Sequence, residues 1–100
     1  MQYFVSRHHG AHEWAARQGF DVTVVSHFDT SIIVNGDVVI GTLPIHLAAE
    51  VCNRGGRYYH LILELSADDR GKEISADRMQ ELGARIVEYR IVPVLETIVL

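Results

Sequence analysis

The chain is poor in cysteine, lysine and proline: among its 100 residues are one cysteine, one lysine and two prolines. The lone Cys52 excludes an intramolecular disulfide and a cysteine-cluster metal site, and we interpret it as a reduced cysteine buried on a helix. No apolar run reaches the ~18 residues of a membrane span. The N-terminus MQYFVSRHHG has no basic segment ahead of an apolar one, so no secretory signal is predicted. We therefore expect a cytoplasmic protein without a membrane partner.

Positive charge is scarce and almost all of one kind, since eight arginines accompany the single Lys72 and the net charge is −4. Such a chain is not expected to bind long nucleic acid as a basic domain does. Any anion-binding site must therefore be local. Arginine suits such a site because it can bind phosphate or carboxylate through two parallel hydrogen bonds. The length and the apolar fraction of 48% predict one globular domain over residues 1–100.

Short apolar segments alternate with helix-like segments along the chain. Runs rich in β-branched and aromatic residues predict strands over 3–5, 22–25, 38–40 and 58–65. Helices are predicted over 11–18, over 44–53, and from an N-cap at Ser75 through Tyr89, where apolar residues recur every three or four positions. Because the strands lack polar alternation, we predict an α/β fold with a mainly parallel sheet covered by helices on both faces. The tail, residues 91–100, is predicted to form an edge strand or to pair with another chain.

Two predicted strand–turn–helix junctions carry most of the candidate site residues. Ser6-Arg7-His8-His9-Gly10 follows the first strand, and Gly41-Thr42-Leu43-Pro44 follows the third. Ligands of open α/β sheets bind beyond the carboxyl ends of the strands, where helix N-termini offer unpaired N–H groups to an anion. The glycine pattern is neither GxGxxG nor a P-loop, so conventional NAD or ATP binding is not expected.

The histidines of the first junction have more than one interpretation. Arg7, His8 and His9 either hold a phosphate and transfer protons near neutral pH, or are solvated loop residues. A metal site built from His8, His9 and His12 is less favoured, because no carboxylate or cysteine completes a recognised ligand pattern.

Other candidates also keep two interpretations. Thr42 is either a ligand contact or a helix cap, and His46 either faces the same crevice or is a satisfied core histidine. Arg70-Gly71-Lys72-Glu73 follows the fourth strand at the same end of the sheet, and either closes over an anion or is an ordinary solvated loop. His27 and His60 are interpreted as structural.

Three runs, FVSRHHGAHEWA, VIGTLPIHLAAEVCNRGGRYYHL and RGKEISADRM, resemble the small CRISPR-associated proteins of the Csx accessory series, which are encoded beside type III CRISPR systems. The resemblance covers about residues 3–90. It implies a Rossmann-like fold similar to the CARF sensory domains, which are homodimers that bind the messenger cyclic oligoadenylate. It further implies a stand-alone ring nuclease that cuts this messenger and switches the antiviral response off. A protein that binds the ring without cutting it, or an interaction subunit of a CRISPR effector, are the alternatives.

We expect this activity to need no cofactor or metal. A ribose 2′-hydroxyl attacks its own 3′-phosphate, which leaves a 2′,3′-cyclic phosphate. Arg7 and backbone N–H groups are expected to stabilise the developing charge, and His8 or His9 to act as base or acid. A homodimer that binds cyclic tetra-adenylate is expected, because a ring of four nucleotides suits a two-fold site. The expected binding residues are Ser6, Gly10, Gly41, Thr42, Leu43, Pro44, His46, Arg70 and Lys72.

Overall fold

Five strands form one sheet in the computed structural model, which describes residues 1–6, 9–25 and 27–94. The strands are β1 (Gln2–Val5), β2 (Thr23–Val25), β3 (Val38–Gly41), β4 (Arg57–Ile62) and β5 (Arg85–Tyr89). Their order across the sheet is β2-β1-β3-β4-β5. The first four strands pair in parallel, and β5 runs antiparallel to β4. The predicted α/β fold with a mainly parallel sheet is confirmed.

Helices cover both faces of this sheet. α1 (His9–Arg17) packs with α3 (Ala76–Glu81) on one face, and α2 (Ile45–Asn53) lies on the other beside a short 3-10 helix (Thr30–Ile32). Successive strand residues alternate between the two cores. Phe4 and Ile40 point to the α1 side, whereas Tyr3 and Val39 point to the α2 side. Burial on both faces is why these strands lack polar alternation.

The winding of the chain changes direction between β1 and β3. From β1 the chain crosses through α1 to β2 on one side, and from β3 it crosses through α2 to β4 on the other side. This strand order is that of a doubly wound sheet whose switch point lies between β1 and β3. The segments that follow β1 and β3 therefore leave the sheet next to each other.

The prediction of one helix from Ser75 through Tyr89 is wrong in its second half. Ser75 does cap α3, because its side chain accepts a hydrogen bond from the Arg78 N–H, but the helix ends at Glu81. Gly83 has a φ of 71°, a left-handed conformation that terminates helices. The chain then turns back as β5. The three-and-four spacing led to a wrong prediction because Met79 and Ile86 pack in the same core, although Met79 is on a helix and Ile86 is on a strand.

Other boundaries differ less. The predicted fourth strand, 58–65, ends at Ile62, and residues 63–75 form an irregular segment. Residues 91–94 are not a strand, and 95–100 lie outside the described residues. Cys52 is a free, half-buried cysteine on α2. None of the helices described in the chain is long and apolar enough to span a membrane.

Gly10 lies in the first turn of α1, which is buried against the segment before α3. A Cβ atom at this position would overlap the Ile74 carbonyl oxygen and approach the Ser75 carbonyl carbon to 2.9 Å. Both neighbours are backbone atoms, so they cannot move aside as a flexible side chain would. The glycine is thus explained by helix packing.

Gly10→Ala should therefore lower the free energy of unfolding by about 1–3 kcal/mol, the usual cost of overpacking. Helix propensity alone predicts the opposite sign, because alanine favours a helix over glycine by about 1 kcal/mol. Urea denaturation measures the change, with Ala16→Gly, at an exposed position of the same helix, as the control for propensity. A Gly10→Ala protein as stable as the unmodified chain would contradict the close packing of α1 on residues 74–75.

Candidate functional site

A cleft of about 640 Å³ opens beyond the carboxyl ends of β1, β3 and β4. Val5 at the end of β1, Thr42 directly after β3 and Ile62 at the end of β4 lie along its floor, and residues from Leu63 to Ile74 supply one wall. Ala11 of α1 lines it as well. Both its size and its place at the switch point are those of ligand-binding clefts in α/β proteins.

Three predicted binding residues come together in this cleft: Ser6 after β1, Thr42 after β3 and Lys72 in the loop after β4. Arg7 and His8, two of the three predicted catalytic residues, lie outside the described residues. His9 is the first residue of α1, and only its backbone is described. The α2 helix has Pro44 as its N-cap, without a side-chain capping bond, so Thr42 does not act as its cap.

The remaining predicted binding residues do not line the cleft. Pro44, His46 and Arg70 are exposed, and Leu43 is half-buried. Exposure of His46 in the first turn of α2 rules out the alternative that it is a core histidine. The binding roles of these residues stay predictions.

Gly41 has a packing explanation similar to that of Gly10. A Cβ at Gly41 would lie 2.7 Å from the carbonyl oxygen of Val5 on the neighbouring strand. A larger residue would push β1 and β3 apart at the point where the two strands end. Neither Gly10 nor Gly41 lines the cleft, and their binding roles also stay predictions.

The buried hydroxyl of Tyr58 holds the exit of β3 in place. It accepts a hydrogen bond from the Leu43 N–H at 2.9 Å and lies 3.1 Å from the Gly41 carbonyl oxygen, to which it can donate. The same oxygen is 2.7 Å from Nδ1 of His60. Burial raises the pKa of Tyr58, so the hydroxyl keeps its proton at neutral pH. One buried side chain thus ties the Gly41-Thr42-Leu43 turn to β4.

His60, interpreted from the sequence as structural, is half-buried and lines the cleft. Two features place it there. It pairs in register with Gly41, which puts it next to Thr42, and it shares with Tyr58 the strand face that looks towards α2. A histidine two positions after a buried tyrosine near a strand end is a weak sequence signal, because its use depends on a strand register that only the fold reveals.

The loop that walls the cleft is fixed to α3 by an ion pair. Nε and Nη2 of Arg78 each donate to one carboxylate oxygen of Asp69, both at 2.9 Å. The Asp69 carboxylate also accepts from the Ser66 hydroxyl at 2.7 Å and from the Ser66 N–H at 3.2 Å. A two-point arginine–carboxylate contact fixes direction as well as distance. The Asp69–Arg78 ion pair therefore positions Gly71 and Lys72 at the wall of the cleft.

Charges in the described part of the cleft nearly cancel. Lys72 is its one cation, and Asp69 and Glu73 are its carboxylates. Because Arg78 already neutralises Asp69, little net positive charge remains for an anion. Among residues 1–6, 9–25 and 27–94, no group of three or more histidine, cysteine or carboxylate side chains is placed to hold a metal ion.

Comparison with known proteins gives one match. The model of the family described as "Putative CRISPR-associated protein (Cas_VVA1548)" matches residues 3–92, which is nearly the whole chain. No curated protein and no solved structure matches significantly. The matched region includes every strand end that borders the cleft.

Acid should weaken the anchoring of the cleft loop. The Arg78 guanidinium, and after it the Ser66 hydroxyl, hold the pKa of the Asp69 carboxyl well below its usual range. A carboxyl with a lowered folded pKa stabilises the fold above its ordinary pKa of about 3.9, and this contribution is lost as the pH falls further. We expect Asp69→Asn to lower the melting temperature at neutral pH, and the difference from the unmodified chain to shrink below about pH 4.

Thermal melts across this pH range measure the effect, and Asp68→Asn is the matched control because Asp68 is exposed in the same loop. Equal melting temperatures of Asp69→Asn and the unmodified chain at neutral pH would show that the ion pair does not stabilise the fold.

Proposed function

Because the chain belongs to this CRISPR-associated family, we propose that it binds cyclic oligoadenylate in the cleft and cuts it, as a ring nuclease of type III CRISPR signalling. The observation that carries the proposal is the position of the cleft. It lies at the switch point of a doubly wound sheet, bordered by the turns that follow β1 and β3. Sites of this kind bind nucleotides through the phosphates.

The lining of the cleft fits the parts of an adenylate. Hydroxyl groups of Ser6 and Thr42 suit ribose and phosphate oxygens, and the Lys72 ammonium suits a phosphate. Leu63 and Leu65 offer apolar surface for the face of an adenine. This mixture of an apolar wall and a few polar groups is typical of small-molecule sites.

The proposed reaction is an internal displacement at phosphorus. The ribose O2′ forms a bond to the adjacent phosphorus while the bond from phosphorus to O5′ breaks. The 2′-hydroxyl gives its proton to a base, and the departing O5′ takes a proton from an acid; the product end is a 2′,3′-cyclic phosphate. The nucleophile belongs to the ligand, so positioning supplies much of the acceleration. Arg7 would stabilise the charge on the phosphoryl oxygens, and His8 or His9 would transfer protons.

A ring of four adenylates asks for more than one copy of this cleft. Its four phosphates need more positive charge than Lys72 alone supplies among the described residues. A cleft of about 640 Å³ also has the size of a site for one drug-sized ligand. A two-fold dimer would double both the cations and the volume, and would match a symmetric ring. We therefore propose a homodimer whose two clefts form one site.

Chromatography of cyclic tetra-adenylate after incubation with the protein tests the function. We expect linear products that end in 2′,3′-cyclic phosphate, and we expect the same rate in excess EDTA. Arg7→Ala should slow cleavage by about 10²–10³-fold, the usual effect of removing one donor to a developing anion. Arg54→Ala is the matched control, because Arg54 caps the far end of α2 and pairs with Glu50.

Binding without cleavage would make the protein a sponge for the messenger, and the absence of binding would leave the role of an effector subunit. An unchanged rate in Arg7→Ala would remove this arginine from the mechanism. Loss of activity in EDTA, with recovery on adding a divalent ion, would require the histidines of the first junction to be metal ligands.

Light scattering tests the shared site. Val92 and Val94 are 67% and 84% exposed, whereas Ile91 packs on the α2-side core. We expect a dimer from the unmodified chain, and a shift towards monomer with loss of cleavage in a Val92→Ser, Val94→Ser double variant. A full-length monomer that still cleaves the ring would contradict the shared site. A double variant that remains dimeric would show that the interface lies elsewhere.

A further inference from the structure

The imidazole of His60 is held in one orientation at the edge of the cleft. The centroid of the Tyr58 ring lies 5.8 Å from that of the imidazole. The Tyr89 ring contacts the imidazole edge-on, with the two centroids 6.2 Å apart. Its Nδ1 is 2.7 Å from the buried Tyr58 hydroxyl oxygen. Among the described residues, the Tyr58 hydroxyl is the one hydrogen-bond partner of the His60 ring. Nε2 is therefore the nitrogen available to a ligand in the cleft.

The hydrogen bonds around Tyr58 allow the protons to be assigned. Its hydroxyl oxygen accepts from the Leu43 N–H. If the hydroxyl donates to the Gly41 carbonyl oxygen, Nδ1 of His60 must carry a hydrogen and donate to the tyrosine. This arrangement uses every donor and acceptor of the buried group, as buried polar groups generally require. If the hydroxyl donated to Nδ1 instead, the Gly41 carbonyl oxygen would lose its hydrogen bond from Tyr58.

In the assigned tautomer, Nε2 of the neutral imidazole carries a lone pair. We propose that His60 is the general base of the cleft, which accepts the 2′-hydroxyl proton of the ligand at Nε2, and that Tyr58 is a positioning residue that holds His60 in the required tautomer. This inference rests on the proposed ring nuclease activity and adds to it a residue outside the Ser6–Gly10 junction.

The place of His60 in the sheet suits an in-line displacement, in which the base and the acid act on opposite sides of phosphorus. His60 is on β4, and the Ser6–Gly10 junction follows β1. These strands flank β3, so they lie about 10 Å apart, with Thr42 between them. A phosphate bound over Thr42 would have His60 beside it, on the side from which O2′ attacks. His60 takes the proton from O2′ as the O2′–phosphorus bond forms, and His8 or His9 gives a proton to O5′ as the phosphorus–O5′ bond breaks.

Charged and titratable groups pack close to His60. Tyr58 and Tyr89 contact its ring, and Lys72, Asp69 and Glu73 line the same cleft. The elements packed against β4 also carry His46, Glu50 and Cys52 on α2 and Arg85 and Glu88 on β5.

His60→Gln tests the role directly, because glutamine keeps hydrogen-bonding capacity but cannot accept the proton. We expect single-turnover cleavage of cyclic tetra-adenylate to fall by about 10²–10⁴-fold, the usual contribution of general acid–base catalysis. Affinity for the ring, measured by calorimetry, should change little. The limb of the pH–rate profile in which the rate rises with pH should flatten. His27→Gln, at an exposed histidine that does not line the cleft, should cleave at the original rate.

The outcomes separate this inference from the activity on which it rests. Cleavage by the unmodified chain together with an unchanged rate and pH profile in His60→Gln would overturn the role of His60 alone. An unmodified chain that does not cleave the ring would overturn both.

A second measurement does not depend on activity or on the folding of a variant at His60. Long-range ¹H–¹⁵N NMR correlations of labelled histidine report which ring nitrogen is protonated. We expect His60 to carry its proton on Nδ1 when neutral, and Tyr58→Phe to weaken that preference and slow cleavage. An Nε2-protonated His60 in the unmodified chain would contradict the role of base.

Discussion

Parallel pairing of β1 with β3 is the constraint on which the rest of the molecule depends. Tyr3 pairs with Val39, and Val5 pairs with Gly41, so both strands end at the same level. The chain winds away from this pair in both directions. A gap between the flanking helices then remains beyond the carboxyl ends of the two strands, and the cleft occupies this gap. Gly41 allows β1 and β3 to end in close contact, since a side chain there would meet the carbonyl of Val5.

A second layer of interactions turns this gap into a defined site. The Tyr58 hydroxyl ties the turn after β3 to β4. The Asp69–Arg78 ion pair ties the loop that forms the cleft wall to α3. The Tyr58 side chain and the Asp69 carboxylate are buried or nearly buried and are hydrogen-bonded within the protein, which makes both contacts directional. The cleft therefore has a rigid floor and an anchored wall. A cut that relies on aligning a ligand's own hydroxyl with its phosphate needs such rigidity.

Much of the fold follows from local sequence, and the exceptions have physical causes. Four strands are readable because β-branched and aromatic residues are consecutive in them, and the carboxyl-end rule brings Ser6, Thr42 and Lys72 to one place. β5 is missed because its apolar residues continue the helical spacing of α3. Gly83 is the one sequence signal that the helix ends before β5. His60 is missed as a cleft residue because its position depends on a strand register and on a bond to Tyr58, which are tertiary facts. The glycines of both junctions suggested ligand contact. Close backbone packing explains why a side chain does not fit at either position.

The central claim is that the cleft between the ends of β1, β3 and β4 holds the ring. A cyclic tetra-adenylate that lacks its 2′-hydroxyl groups has no nucleophile and would remain intact, so NMR titration with this ring reports binding alone. The account predicts saturable shifts of the backbone amide signals of Ser6, Thr42, His60 and Lys72. Shifts confined to residues outside the cleft, or no shifts at all while the natural ring is cut, would contradict it.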